Sequence, residues 1–363
     1  MTGDAFAARV ARACDWRVAE AALGPFVVGD GAPGEPRLSA LRVLKERPGR
    51  RCVIRYDFVV EGDRERERRY VGKVRARGAH ARVHRLGLAL RERGFDERGT
   101  RAFVVAEPVA MVESLGLNLV RWAPGATLAD EIAADRSSEQ TLERVGRGLA
   151  ELHLEGPVPA RRHSKSAELA VLEQDLPRAA ERNPEHAVRI ERLLVAARHL
   201  VARLPEAAPV PIHRDFHPEQ LLLAGDAIVL IDLDLYTQGD PCVDVGNFVA
   251  HLREQALREK GDVRASAAQE AAFLRGYRSV ADGPALEALP VWCFLSFVRH
   301  VWIASRIPER TDFVPSILAA SEAAWRELRS DPRSASAVQV RASPGSARSR
   351  ARRGRPGGAG RGA

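Results

Sequence analysis

Cysteine is scarce and scattered in this sequence. Its four cysteines, Cys14, Cys52, Cys242 and Cys293, include no two at the short spacing that a zinc site needs. They read as small apolar groups of a reducing compartment rather than as metal ligands. Long apolar runs are missing too. A membrane helix takes about 18–20 apolar residues, and the most apolar stretch, Val291 to Val298, falls far short of that. The N-terminus carries Asp4, Arg9, Arg12 and Asp15 where a secretory signal would need an apolar stretch. A cytoplasmic protein with no membrane partner is expected. No internal repeat is visible.

Net charge is absent from most of the chain, although the total is +8. Residues 329–363 hold nine arginines and one aspartate, which accounts for all of it. The other 328 residues hold 47 basic and 47 acidic side chains. A nucleic-acid footprint places its excess charge on a folded face. Here the excess sits in a segment rich in Gly, Ser, Ala and Pro and poor in large apolar residues. Such a segment cannot bury enough surface to offset its ordering entropy and is expected to be disordered. No specific nucleic-acid partner is implied.

What remains is an ordinary globular composition, 45% hydrophobic, long enough for about two domains. Residues 5–22 have helical periodicity. From Leu38 to Arg75 the period is two, with Ile54, Tyr56, Phe58 and Val60 on one face and Arg55 and Asp57 on the other. Three strands, 41–45, 52–60 and one ending at Val74, form an antiparallel meander, with Pro48-Gly49 suited to a type II turn. A helix over 80–93 follows, then strand signal at 102–105 and 117–121. Beyond Ala123-Pro124-Gly125 the pattern is helical, over 127–134, 138–153, 165–182, 186–204 and 243–329. It is interrupted only by strand-like runs at 221–223 and 227–231. The fold class is α+β and bilobal. A small antiparallel-sheet lobe spans 1–122, a larger helical lobe 123–328, and the Arg-rich tail 329–363.

Polar residues crowd into the interruption: His213-Arg214-Asp215-Phe216-His217-Pro218-Glu219-Gln220, then Ile231-Asp232-Leu233-Asp234, then Gly239-Asp240-Pro241-Cys242-Val243-Asp244. Phosphoryl transfer needs a carboxylate to orient the attacking hydroxyl, oxygen ligands for magnesium and a cation on the phosphates. This segment holds residue types for the first two tasks. A metal-dependent hydrolase using His213, Asp215, His217, Asp232 and Asp234 is the competing reading. However, Pro218 keeps the two histidines off a shared regular helix face.

The order and spacing of His213, Asp215, Pro218, Asp232, Gly239, Asp240, Pro241 and Asp244 resemble the aminoglycoside phosphotransferase and choline kinase-like family, relatives of the protein kinases. The resemblance implies a kinase-like fold that transfers the γ-phosphate of ATP to a hydroxyl of a small molecule. It implies Asp215 as catalytic base or hydroxyl orienter, with His213 bracing its loop. Asp232, Gln220 and Asp234 become magnesium ligands. Asp240 and Asp244 become anchors of the segment or groups facing the acceptor. Lys73 becomes the phosphate-gripping lysine, and Gly49 and Arg50 belong to the loop over the phosphates. Arg121 and Trp122 become part of the adenine-binding hinge. Arg51 reads either as a second phosphate contact or as a charged turn.

Two positions depart from the pattern: Arg214 stands for Gly and Gln220 for Asn. A third feature is that the helix after Lys73 offers only Glu92 as the lysine's usual glutamate partner. These departures keep a catalytically weak or inactive nucleotide-binding protein with a regulatory role as the alternative. The resemblance implies ATP and Mg2+ as cofactors and an alcohol acceptor, in a monomer or homodimer. The aromatic stripe Trp292, Phe294, Phe297 and Trp302 either lines an acceptor pocket for a cationic or apolar substrate or, as its helical spacing favours, packs in the core.

Overall fold

The computed structural model describes residues 3–27, 34–60, 67–281 and 286–330. The chain starts with two helices, α1 (Gly3–Cys14) and α2 (Trp16–Val27), where one was expected. The break is a cap: Asp15 Oδ1 accepts from Val18 N at 2.9 Å, satisfying an orphan donor of α2 and restarting the helix. Three long strands follow, β1 (Pro36–Arg47), β2 (Arg51–Val60) and β3 (Glu67–Arg75), as an antiparallel meander. Arg47 and Arg50 close the β1–β2 turn through a 3.0 Å hydrogen bond, and Gly49 takes φ +70°, as the sequence predicted for a type II turn.

Alternation along β2 is strict, with Cys52, Ile54, Tyr56, Phe58 and Val60 buried and the residues between them half-buried. On β3, Tyr70, Gly72 and Val74 share the buried face. That face packs on α1 and α2, where Phe6, Ala13, Ala19, Leu23 and Val27 complete a small core. The period-two rule then turns Arg51, Val53, Lys73 and Arg75 to the other face of the sheet. Helix α3 (Ala81–Glu92) and strands β4 (Phe103–Val105), β5 (Pro108–Val112) and β6 (Leu117–Arg121) follow. Strands β6 and β5 extend the sheet in the order β1-β2-β3-β6-β5. The sequence reading missed β5, a short strand that starts at a proline.

After the two-residue strand β7 (Ala126–Thr127) come helices α4 (Leu128–Ala133), α5 (Glu139–Glu155), α6 (Lys165–Arg182) and α7 (Ala187–Arg203). Strands β8 (Val210–Ile212), β9 (Leu221–Ala224), β10 (Ala227–Leu230) and β11 (Thr237–Gly239) interrupt the helices. Helices α8 (Cys242–Lys260), α9 (Ala267–Arg278), α10 (Leu289–Arg306) and α11 (Val314–Ser330) finish the described chain. From position 331 on, the Arg-rich tail lies outside the described residues. Strands β9 and β10 form a hairpin, and β10 also pairs in parallel with β4. Strands β8 and β11 form a separate antiparallel pair.

The second, larger core joins α3 and β4 to the helices beyond residue 127. Helices α5 and α9 meet at backbone distance. A Cβ on Gly146 would lie 1.9 Å from the Phe273 carbonyl oxygen, and one on Gly276 would lie 1.8 Å from that of Glu143. Trp292, Phe294 and Phe297 are buried in this core, as their spacing predicted. Trp302 is half-buried, with the guanidiniums of Arg182 and Arg306 over its ring. Among the described residues, no helix is long and apolar enough to cross a membrane.

Candidate active site

Pairing of β8 with β11 and of β9 with β10 sets the two polar loops side by side. His213 follows β8 directly, and its Nε2 reaches the Ile231 carbonyl oxygen at 3.0 Å. Ile231 N in turn donates to the Gln220 carbonyl oxygen at 3.0 Å, one step past the Leu221–Leu230 pair of the hairpin. Gln220 and Asp232 therefore sit at the same end of one hairpin. The Gln220 amide nitrogen lies 3.1 Å from His217 Nε2, which leaves its carbonyl oxygen as the group able to face a cation.

A fully buried carboxylate fixes the Asp215 loop. Asp244, in the first turn of α8, accepts from the backbone nitrogens of His213 and Arg214 at 2.6 Å each. Its Oδ2 also lies 3.1 Å from His153 Nε2, and His153 Nδ1 is 2.9 Å from the Tyr277 hydroxyl. Three elements, α5, α8 and α9, thus hold one loop. The loop is strained where it turns, since Arg214 adopts φ +72°. Asp240 anchors the same region, accepting from Cys242 N at 2.8 Å and from the Trp292 indole at 3.0 Å. The Asp215 side chain is 32% exposed, with Arg299 at 3.8 Å and His217 at 3.9 Å.

Cations of the sheet meet the second loop. Lys73 Nζ is 2.8 Å from Asp232 Oδ1 and 2.8 Å from Asp234 Oδ2. Arg51 reaches Asp232 Oδ2 at 3.0 Å, and Arg75 reaches Asp234 Oδ1 at 2.6 Å. Burial is the largest single influence on both and works against the ionised carboxylates, but Lys73 and the neighbouring guanidiniums together outweigh it. Arg51 adds to the effect at Asp232 and Arg75 at Asp234, and both groups are held below the usual carboxylate range. Asp232 adopts φ +60°, a left-handed conformation that Asp tolerates better than most residues.

Lys73 therefore has aspartate partners, while Glu92 is exposed at the far end of α3. Helix α3 contributes Arg82 instead, whose guanidinium donates to the carbonyl oxygens of Asp234 and Tyr236 at 2.7 Å each.

Most of the residues expected at the site converge in this region. Lys73, Asp232 and Asp234 touch, and His213, Asp215 and Gln220 share the adjoining loop. Gly49 and Arg50 form the exposed tip of the β1–β2 hairpin, next to the Arg51–Arg75 pair. Arg121 and Trp122 do not join the cluster. Arg121 is paired with Glu107 at 3.3 Å and lies over the Tyr70 ring, and Trp122 lies under Arg55. Along β6 they lie three and four residues from Asn118, the partner of Lys73, or roughly 10–14 Å away. Sequence reasoning missed Arg75, Arg82, His153 and Arg299. Only Arg75 left a signal, two residues after Lys73 and so on the same strand face.

The donor set suits a hard divalent cation: carboxylate oxygens of Asp232 and Asp234 and the amide oxygen of Gln220. The five residues of the hydrolase reading are not gathered in this way. His213 is turned to a backbone carbonyl. Among the described residues, no three His, Cys, Asp or Glu side chains group as a metal cluster.

The model of the APH phosphotransferase enzyme family matches residues 55–289. The chain belongs to this family. Solved structures with the same fold include a choline/ethanolamine kinase family protein from Mesorhizobium loti. It is 17% identical, with 92% of this chain and 98% of that chain covered and a TM-score of 0.53. A choline kinase from Cryptosporidium parvum is 11% identical over 88% of this chain and 98% of that chain, at 0.56. The amicoumacin kinase hAmiN, solved with AMP-PNP, Ca2+ and Ami, is 14% identical over 86% and 95%, at 0.55. No curated protein matches the chain. Likeness at these identities establishes a fold, the bilobal α+β fold of the kinase-like phosphotransferases.

Proposed function

We propose that this member of the phosphotransferase family is an ATP- and Mg2+-dependent kinase of a small-molecule alcohol. The observation that carries the reading is the contact of Lys73 with both Asp232 and Asp234, beside a loop that holds Asp215 half-open to solvent. A cation suited to gripping phosphates, two candidate metal carboxylates and a partly exposed third carboxylate support this reading.

In this reading Lys73 and Arg51 turn from the aspartates to the phosphates of ATP. Bound magnesium would neutralise charge on the β- and γ-phosphates, and Asp232, Asp234 and the Gln220 carbonyl are the residues suited to hold it. Asp215 accepts a hydrogen bond from the acceptor hydroxyl, which points that oxygen's lone pair at the γ-phosphorus, and takes the proton as the new P–O bond forms and the bond to the β–γ bridging oxygen breaks to release ADP. The buried Asp244 network keeps Asp215 from swinging away during that step. Positioning of this kind is where a kinase gains most of its rate, because the phosphoryl group needs little covalent help.

The test is ADP release from Mg-ATP over a panel of alcohols, with Asp215→Ala as control. Acceptor-dependent turnover that the substitution abolishes supports the reading. Nucleotide binding with no turnover on any alcohol would instead support the regulatory alternative.

A further inference from the structure

The surroundings of Asp215 on the helical side are mostly guanidiniums. Arg299 of α10 lies 3.8 Å from Asp215 and 3.5 Å from Glu168 of α6. Glu168 is buried and already bonded to His163 at 2.7 Å. The deep carboxylate on this side is therefore satisfied within the protein, and a cationic acceptor could not use it without displacing His163 or Arg299.

Arg214 senses Glu168, Arg161, Arg299 and Asp215, so these groups share one neighbourhood. Burial and its like-charged neighbours lower the Arg214 pKa. Arg47, the last residue of β1, senses Arg306 and Asp215 as well. Asp175 stands two helical turns beyond Glu168 on the same face of α6. It senses Arg299 and Arg306, which are themselves seven residues apart on α10. Arg299 thus contacts Asp215 and Glu168 directly, Arg47, Arg214 and Arg306 lie within electrostatic reach of these carboxylates or of Asp175, and Arg161 lies within reach of Arg214. Gathering like charges costs free energy unless something compensates them.

The backbone gives a second, independent indication. Arg214 sits at φ +72°, where glycine would be free of strain and a residue with a Cβ is not. A strained position that nevertheless carries a long cation next to Asp215 points to a use for that cation.

We infer that the acceptor presented to Asp215 carries an anionic group, received by Arg299, Arg214 and Arg161 with Arg306 at the rim. The inference rests on the kinase reading, because it takes Asp215 as the group that faces the acceptor hydroxyl. The class it names is a hydroxy acid or a sugar acid, not an amino alcohol or amino sugar.

The experiment uses two matched sets of probes, glucuronate, glucose and glucosamine, and glycerate, glycerol and serinol. For each probe, thermal stabilisation of the full chain and ADP release are read with Mg-ATP present. The expected result is that the acid of a set stabilises most and is turned over at a KM at least tenfold below that of the amine. Arg299→Gln and the exposed Arg306→Gln should each raise that KM severalfold while the KM for ATP stays put. An amine preference, equal responses within each set, or an acid preference that survives both substitutions would overturn the inference and leave the kinase reading intact. No stabilisation by Mg-ATP and no turnover of any probe would remove the kinase reading and this inference with it.

Discussion

Lys73 Nζ stands 2.8 Å from Asp232 Oδ1, joining strand β3 to the loop after β10 across 159 positions of the chain. The contact ties the five-stranded sheet to that loop. Replacing Lys73 by Met should therefore have two unequal effects. Arg51 and Arg75 still neutralise the aspartates, so the loss of stability should be modest, about 1 kcal/mol for a partly exposed pair. The loss of transition-state charge stabilisation should be far larger, about 100-fold in kcat/KM for ATP. Chemical denaturation and steady-state kinetics on one preparation measure both. A stability loss with unchanged kinetics would make Lys73 a purely structural residue.

Acid should weaken the fold in two stages. Burial, with help from neighbouring His217, His300 and Arg299, pushes the pKa of His251 well below its ordinary value. Burial does the same to His300, beside Arg299 and Arg310. A depressed folded-state pKa means that the unfolded chain binds the extra protons, so stability falls as pH drops below about 6.5. The second stage comes from Asp232 and Asp234, where burial is opposed and outweighed by Lys73 together with Arg51 and Arg75. Their contribution is complete above about pH 3.9 and is lost as pH falls further. Melting temperatures from pH 8 to pH 3 should show both arms. His300→Phe should flatten the upper arm and Asp232→Asn the lower one. A single transition governed only by the lower arm would contradict the buried neutral histidines.

The sheet and the loop cluster were legible in the sequence for different reasons. Strict alternation from Cys52 to Val60 fixed which face of β2 is buried, and the same rule applied to β3 turned Lys73 outward. His213, Asp215, Asp232 and Asp244 were readable because their spacing is local and their chemistry is specific. The break at Asp15 was missed because an aspartate inside a helical period looks like one more solvated residue until its side chain is seen capping Val18 N. Arg82, His153 and Arg299 were not readable at all. Each sits on a helix with ordinary surface or core periodicity and gains its role from contacts 91 to 154 positions away or, for Arg299, 84 positions back at Asp215.

Asp244 should be the least replaceable of the aspartates for folding. It is fully buried and accepts from two backbone nitrogens and a histidine. Asp244→Ala would leave those donors unpaired in a region closed to water. Loss of one partner of such a network costs about 3 kcal/mol or more. Asp244→Asn keeps one acceptor oxygen and should recover part of the loss. Turnover should fall in both variants in step with the loosened loop. Equal stability of the alanine and asparagine variants would mean that the network is not what holds Asp215.

Arg82 allows a separate test of whether the loop at 233–236 is held from α3. Its guanidinium makes two 2.7 Å bonds to the Asp234 and Tyr236 carbonyl oxygens, the place from which Asp234 is aimed at Lys73. Arg82→Met keeps much of the apolar stem and removes both bonds. Charged donors to backbone carbonyls contribute about 1.5–3 kcal/mol each in favourable cases, so a stability loss of about 2 kcal/mol is expected. Asp234 would then sample more orientations, and the magnesium concentration needed for half-maximal rate should rise severalfold at saturating ATP. A lysine in its place restores the charge but cannot span both carbonyls with one planar fork. Arg82→Lys should therefore recover stability more than it recovers the magnesium requirement. If both variants show the ordinary magnesium dependence, α3 does not position the loop and Asp234 is held by Lys73 and Arg75 alone.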